Sequence, residues 1–434
     1  MHNAPPRSAA KPRRARSILA GIIGMCALAG LAIAWHVAND APDITVPNPI
    51  MPSPNAFDNY ITAGRGIVST KLIDDSLAYK PKTPPTLEQQ EAALKENAGV
   101  LQSLHEGFAY EFRNPPARSF SAIFPYFSNF RRVARLLAME SQVRSARGDW
   151  KGASESALDA IRMGEDIPRG GVVIAQIVGD ACAATGQSAL WKTIEHLDAA
   201  QSRAAAQRLH ALMQRHFSYA DTIREEKWTG QAGLKEVLRS VTLSSALKNG
   251  AGTTGTETSD MQRYRMAFYM VYGKKRILQN YTEIMDATIA QARQPYSVKH
   301  PPLPIPSDPI TKEIAPEFES ARCIEVRTEA QNAMLLIALY LHAYRLDHGH
   351  YPAALAELVP TYLSKIPEDP FALQGPFCYR LQGEKYLLYS IGPDGKDNGG
   401  IPIDDPKHAS STNPLSRHIV EKESLGDIVA GVNP

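Results

Sequence analysis

The densest group of histidines in the sequence comprises His342, His348 and His350, beside Asp347. Imidazole and carboxylate groups are common zinc ligands, but a zinc site needs ligands that converge, with further His or Cys residues nearby. His342 falls on a predicted helix, whereas His348 and His350 fall in the turn that follows it. We therefore expect a solvated turn at this place rather than a metal site.

Recognisable catalytic motifs are absent. The sequence contains no Gly-x-Ser-x-Gly, His-Glu-x-x-His, phosphate-binding Gly-Lys-Ser/Thr or Cys-x-x-Cys. The adjacent acids Asp74-Asp75 and Glu225-Glu226 are poor candidates for shared acid–base chemistry, because neighbouring side chains on a helix or strand point apart. We expect no catalytic or organic-cofactor-binding residues, and hence a protein that is not an enzyme.

Composition excludes further classes of protein. The chain has 434 residues, 44% hydrophobic and 21% charged, which is too polar for a multi-span transporter. Its 47 basic and 45 acidic residues nearly balance, so nothing indicates a nucleic-acid partner. Four cysteines are too few for a disulfide-built scaffold. Cys26 lies in an apolar run, and the others allow at most one intrachain bridge, for which Cys323 and Cys378 are a conceivable pair.

The N-terminal region has the pattern of a membrane anchor. Residues 18–37 form a nearly continuous apolar run, about 30 Å long as a helix, which matches the hydrocarbon thickness of a bilayer. Residues 1–17 are basic, which predicts a cytoplasmic N-terminus with the bulk of the chain outside the cytoplasm. A cleavable signal peptide is the alternative, with Ala32-Ile33-Ala34 as an acceptable cleavage pattern. Both interpretations place the body outside the cytoplasm.

Proline-rich stretches divide the rest of the chain. Five prolines between residues 40 and 59 favour an extended, semi-rigid backbone, and a second cluster at 301–306 cannot be helical. Between these clusters the apolar spacing predicts helix after helix, so the expected fold class is mainly α with a smaller α+β domain. The predicted segments are a Pro-rich spacer at 38–85, an irregular α-helical domain at 86–295, a Pro-rich linker at 296–310, an α+β domain at 311–410 and a flexible tail at 411–434.

One helical hairpin stands out in the α-helical domain. Gly148-Asp149 interrupts a helical pattern, and Trp150 then begins a new one with small residues every three or four positions. Small residues at this spacing let two helices approach closely. Residues 133–164 therefore resemble one hairpin of tetratricopeptide type, although the pattern is not found three times.

The α+β domain begins with a long predicted helix, 311–347. Its centre, 333–341, is apolar all round, which predicts burial on most sides; it is too short to cross a bilayer. Gly349 suits the left-handed cap position after the helix. Two strand-like runs, 377–381 and 386–389, are spaced as an antiparallel hairpin.

Residues 327–405 carry a partial resemblance to a known family. The residues that carry it are Ala343 to Pro352 (AYRLDHGHYP), Ile366 to Phe371 (IPEDPF) and Tyr386 to Gly400 (YLLYSIGPDGKDNGG), followed by Asp404-Asp405. In this order they resemble the globular domain of the major pseudopilins of type II secretion systems and related type IV pilin-like proteins. The resemblance covers under a fifth of the chain.

In that family the last loop binds calcium. The resemblance implies Asp394, Asp397, Asp404 and Asp405 as candidate ligands, and a loop rich in Asp, Asn and Gly can supply the oxygen atoms that calcium prefers. A Gly-rich turn with solvated acids is the alternative. Family members begin with a prepilin-peptidase site and an apolar helix continuous with the domain, whereas here the domain lies about 300 residues from the apolar run. We therefore do not expect the chain to polymerise as a pilin subunit.

Two functions follow as expectations. The first is a membrane-anchored extracytoplasmic protein with a non-enzymatic role in protein interaction or envelope structure, with protein partners in the cell envelope and a pseudopilin-like domain that binds calcium. The second is an enzyme or small-ligand receptor with a pocket between the α-helical and C-terminal domains. A group of inward-facing charged residues at that junction would favour the second.

Overall fold

The computed structural model describes residues 21–32, 44–68, 85–240, 272–297, 302–306, 308–314, 318–405 and 417–433. The chain is mainly helical and has one small antiparallel sheet of three strands, which confirms the predicted fold class at this level. The helices are α1 (Ala56–Gly66), α2 (Leu87–Glu96), α3 (Ala98–Gly107), α4 (Phe127–Ala146), α5 (Trp150–Asp166), α6 (Val173–Trp191), α7 (Ala199–Met213), α8 (Tyr219–Ser240), α9 (Lys274–Ala292), α10 (Pro309–Ile314) and α11 (Glu319–His348). The strands are β1 (Cys378–Gln382), β2 (Lys385–Ser390) and β3 (Ile428–Val429).

The predicted membrane segment lies only partly within the described residues. Residues 21–32 are helical and exposed, and the remainder of 18–37, like the basic residues before it, lies outside them. None of the helices in the described ranges combines the length and the apolar character needed to cross a membrane.

The predicted Pro-rich spacer at 38–85 is wrong over α1. Asn55 caps this helix by accepting a hydrogen bond from the backbone N–H of Phe57 (3.0 Å). Phe57 and Tyr60 are buried on one side of α1, where their rings contact those of Phe112 and Phe130. The five prolines between residues 40 and 59 all precede α1, so none of them interrupts the helix, and the burial of these two large rings stabilises it.

The predicted break between α4 and α5 is confirmed. Gly148 adopts a left-handed φ of 79°, and the Asp149 side chain then caps α5 by accepting from the backbone N–H of Gly152 (2.9 Å). Helix α6 packs against α5 at very short range. A Cβ atom on Gly186 would lie 2.5 Å from the carbonyl oxygen of Ala157, so only glycine permits this approach.

Helix α11 is the centre of the largest core. Its residues 333–341 are all buried, as their uniform apolar character predicts. The helix packs on α6 and α7, and residues from both sides of the predicted linker at 296–310 share one hydrophobic core. Gly349 ends α11 in the left-handed conformation (φ 80°), which confirms the predicted cap. One face of this helix therefore meets the α-helical region directly.

The sheet contains the predicted hairpin and a third strand. β1 pairs with β2 in antiparallel register, with Cys378 opposite Tyr389, and β3 adds antiparallel to β2. The predicted flexible tail at 411–434 is therefore wrong for residues 417–433. Ile428 is fully buried, and the Asn433 amide donates to the carbonyl of Ile403 (3.0 Å). These buried contacts hold the segment, although its own sequence is rich in turn residues.

Two compact units are distinguished by their internal contacts. One comprises 1–46, 231–283 and 306–314, and the other comprises 47–230, 284–305 and 315–434. In the first unit, Asn280 donates to the carboxylate of Asp308 (2.7 Å), which also caps the backbone N–H of Thr311 (2.7 Å). The site described below lies wholly within the second unit.

Candidate functional site

A polar cavity of about 190 Å³ lies in the second unit, where α5, α6 and α11 meet the segment between α7 and α8. The size is slightly larger than the cavity of roughly 150 Å³ that accommodates benzene in another protein. Its lining is unusual for a protein interior because most of it is polar. The lining residues are Gly164, Glu165, Pro168, Gln176, Asp180, Met213, Gln214, His216, Thr328, Glu329 and Asn332.

Helical spacing brings these side chains to one place. On α11, Thr328, Glu329 and Asn332 lie within four residues of one another and so share a face, which Glu325 extends by one turn. On α6, Gln176 and Asp180 are four residues apart and lie on one stripe. The polar stripe of each helix therefore faces the cavity, while the other sides of both helices pack in the core.

Two glycines set the distance between the cavity walls. A Cβ atom on Gly164 of α5 would lie 2.6 Å from the Cβ atom of Ala183 on α6. A Cβ atom on Gly179 would lie 2.7 Å from the carbonyl oxygen of Gly164. Larger residues would separate α5 from α6, and the carboxylates of Glu165 and Asp180 with them.

His216 links two buried carboxylates across the site. Its Nδ1 lies 3.1 Å from Glu165 Oε2 and its Nε2 lies 3.0 Å from Glu325 Oε1. Burial acts to lower the pKa of His216, but the hydrogen bonds to both carboxylates outweigh it and hold that pKa well above its usual value. The ring is therefore an imidazolium that donates from both nitrogens, which neutral histidine cannot do.

Buried amides hold the Glu165 carboxylate in position. Asn332 donates to Glu165 Oε1 (3.0 Å), and Gln187 in turn donates to the amide oxygen of Asn332 (2.9 Å). Gln187 also donates to the backbone carbonyl of Thr328 (3.1 Å). The chain of hydrogen bonds runs from α6 through α11 to α5, so these side chains are held in fixed positions at the cavity.

Asp180 and Glu329 are the two acids of the cavity whose titration is displaced. Burial and, to a lesser extent, the charge of Glu325 raise the pKa of Asp180 to about 7, against the hydrogen bond from Gln176 that lowers it. Glu329 keeps accessible surface, yet the surrounding protein and the charge of Glu325 raise the pKa of its carboxyl group. Within the described residues Glu329 makes no hydrogen bond and no ion pair. Displaced titration in a cavity is typical of functional sites.

The expected calcium ligands occupy a different place, beside the sheet. Asp397 Oδ1 accepts from the hydroxyl of Tyr389 (2.9 Å), and Asp394 Oδ1 accepts from the backbone N–H of Lys396 (3.0 Å). Asp427, which the sequence did not suggest, reaches this loop from the edge of β3 and accepts from the backbone N–H of Gly400 (2.7 Å). Burial raises the pKa of Asp427, and the charges of Asp397 and Asp394 raise it further.

The other two expected ligands are arranged differently. Both carboxylate oxygens of Asp404 accept hydrogen bonds from Arg417 (2.6 Å each), and the backbone N–H of Asp405 donates to the carbonyl of Arg417 (2.7 Å). Asp404 is therefore engaged by Arg417, whereas Asp394, Asp397 and Asp427 lie around the same loop. In the described ranges, no three His, Cys, Asp or Glu side chains are grouped closely enough to hold a metal ion.

The remaining groups singled out in the sequence are structural. His342 is buried and bonds to the carbonyl of Leu197 (2.9 Å), and the ring of His348 stacks on that of Tyr344. The buried carboxylate of Glu225 forms ion pairs with Arg113 (3.2 Å) and Arg118 (3.1 Å). Cys182, Cys323 and Cys378 are free thiols, so the conceivable bridge is not formed.

Sequence reasoning missed every residue of the cavity. A signal existed in α6, where the amide Gln176 and the acid Asp180 lie four residues apart in a helix of mostly small and apolar residues. A second existed in α11, where Glu325 and Glu329 precede the apolar centre at helical spacing. A single histidine at 216 gave no signal, because its carboxylate partners lie 51 and 109 residues away.

No protein-family model, curated protein or solved structure matches this chain. The resemblance of residues 327–405 to pseudopilins therefore stays a prediction.

Proposed function

We propose that the protein is a membrane-anchored extracytoplasmic receptor without enzyme activity that binds a small ligand in the cavity between α5, α6 and α11. The observation that carries the proposal is the cavity itself, in which buried polar residues are fixed by one another, while the exposed carboxylate of Glu329 makes no hydrogen bond or ion pair within the described residues. Open space of this size beside buried polar groups is uncommon, because close packing is the rule in proteins.

A ligand screen with a blocked cavity tests the proposal. Small molecules are screened by ligand-observed NMR against the full-length chain in nanodiscs. We expect hits that are lost in Met213→Trp, because the indole fills the cavity, and kept in Met213→Leu, which conserves volume. Hits that persist in Met213→Trp, or a screen without hits, would contradict a binding role for this cavity.

The membrane anchor is supported by the apolar run at 18–37 and the basic residues before it. Extraction at alkaline pH should leave the full-length chain in the membrane fraction and release a chain that lacks residues 1–37. Release of the full-length chain would favour the cleaved signal peptide. Partners in the cell envelope follow from this location, and crosslinking in intact membranes tests them.

Calcium binding by the pseudopilin-like domain is a second candidate function. Its support is the approach of Asp427 to Asp394 and Asp397, which places three carboxylates within electrostatic reach of one loop. We expect millimolar calcium to raise the melting temperature of the wild-type chain and of Asp404→Ala, but not of Asp394→Ala/Asp397→Ala. An unchanged wild-type melting temperature would exclude this role.

A further inference from the structure

The cavity offers a ligand mainly hydrogen-bond acceptors. Each donor-bearing side chain of its lining already makes at least one hydrogen bond: His216 bonds Glu165 and Glu325, Asn332 bonds Glu165, and the others bond neighbouring groups. These others are Gln176, which donates to Asp180, Thr328, which donates to the carbonyl of Ile324, and Gln214, which pairs with His210. Acceptors remain, above all both oxygens of Glu329. A ligand that fits must therefore bring donors.

The charge around the cavity also favours a ligand that carries hydrogen-bond donors. Three carboxyl groups line it, those of Glu165, Asp180 and Glu329, and that of Glu325 lies next to them, bonded to His216. His216 balances one of these charges, and Arg322 lies 3.5 Å from Glu325 Oε2. The charge of Arg327 acts on Asp180 from a distance, while its guanidinium donates to the carbonyl of Val420 (3.3 Å). Within the described residues Glu329 forms no ion pair, although the charges of His216 and Arg322 act on it from a distance.

The remaining walls of the cavity are apolar. Met213, Pro168 and Gly164 supply carbon atoms, and the volume suits a molecule somewhat larger than benzene. An anion such as a phosphate would meet the carboxyl groups of Glu165, Asp180 and Glu329 and a histidine that is already paired with carboxylates, which makes its binding unfavourable.

We infer that the cavity binds a small organic ammonium compound, with Glu329 as the carboxylate that pairs with its cationic group. This inference rests on the proposed receptor function and names its ligand class. Glu165, Glu325 and His216 form the fixed wall, and Asp180 offers a second acceptor. A charge-assisted hydrogen bond is roughly twice as strong as a neutral one, so the cationic group dominates recognition.

Three probes with the same apolar body test the ligand class: 2-phenylethylamine, 2-phenylethanol and 3-phenylpropanoate. Binding to the full-length chain in nanodiscs is measured by calorimetry and ligand-observed NMR. We expect the amine to bind at least about tenfold more tightly than the alcohol, and the carboxylate not to bind. Glu329→Gln should weaken amine binding about tenfold without lowering the melting temperature, because it removes the charge and keeps the shape.

Glu319→Gln is the matched control. Glu319 lies on the same helix, about 15 Å away along its axis, and its side chain is 79% exposed. The control should bind the amine as the wild type does. Equal binding of the alcohol or the carboxylate would overturn the ligand class and leave the receptor function standing. If none of the three probes binds, the proposed role of the cavity is refuted. If Glu329→Gln binds the amine as tightly as the wild type does, the pairing with Glu329 is refuted.

Discussion

Replacing His216 by alanine is the most direct perturbation of the candidate site. The substitution leaves the carboxylates of Glu165 and Glu325 buried, with exposed side-chain fractions of only 6% and 4%, and removes the cation between them. Loss of one partner from a buried ion pair costs about 3–5 kcal/mol. Glu165 keeps Asn332 and Glu325 keeps Arg322, which places the expected loss of unfolding free energy near the lower limit, about 3 kcal/mol.

The loss of unfolding free energy in His216→Ala should become smaller both below and above neutral pH. The folded-state pKa of His216 is raised, so its contribution to stability is complete below about pH 6.5 and disappears as the pH rises through the raised pKa. In His216→Ala, the unpaired carboxylates gain protons as the pH falls, which relieves their repulsion. The difference between wild type and variant should therefore be largest near neutral pH and smaller at pH 5 and at alkaline pH.

Urea unfolding of both proteins at several pH values measures this difference, and a fall in melting temperature of about 3 °C at neutral pH accompanies it. His105→Ala is the matched control. His105 also contacts a carboxylate, that of Asp159 at 3.1 Å, but its side chain is 43% exposed, so the loss should stay below about 1 kcal/mol. A His216→Ala loss as small as this, or one that does not change with pH, would refute the imidazolium bridge.

Two further predictions concern the walls of the cavity. Because burial raises the pKa of Asp180 to about 7, the folded state holds this proton more tightly than the unfolded chain, and wild-type stability falls as the pH rises from about 4 to 7. Asp180→Asn should therefore be more stable than wild type at pH 8 by about 2–4 kcal/mol, and equal stability in urea unfolding at pH 8 would contradict this. Gly164→Ala should lower the unfolding free energy by about 1–3 kcal/mol, because the new methyl group meets Ala183. Its control Gly99→Ala, with nothing within 4 Å, should raise it by about 0.5–1 kcal/mol, and equal effects in thermal unfolding would show that the close approach of α5 and α6 is unimportant.

Local chemistry made part of this fold predictable. The capping box of Thr86 and Gln89, the break at Gly148 and the cap at Gly349 are each decided within a few residues, and the structure contains all three. The β1–β2 hairpin belongs to the same class, because alternation and a short turn specify it. Such features need no knowledge of distant contacts.

Elements that depend on distant contacts were missed. Helix α1 follows a Pro-rich stretch, and its burial depends on Phe112 and Phe130, which are far along the chain. β3 has two residues and pairs with β2 about 40 residues earlier, so it has almost no signal of its own. The cavity is the extreme case, because its walls come from four segments and its bridging histidine is specified only by their packing.

The polar residues of helix α11 differ in whether the protein itself supplies their hydrogen-bond partners. Its apolar half is fixed in the core, so the register of its polar half against α5 and α6 cannot adjust. A buried polar group without partners is costly, and along this half Glu325, Thr328 and Asn332 all find hydrogen bonds. Glu329 occupies the same face but is exposed to solvent, and within the described residues it makes no hydrogen bond or ion pair. Because Glu329 lines the cavity and is open to solvent, a ligand can reach its carboxylate without breaking a hydrogen bond or ion pair of the protein.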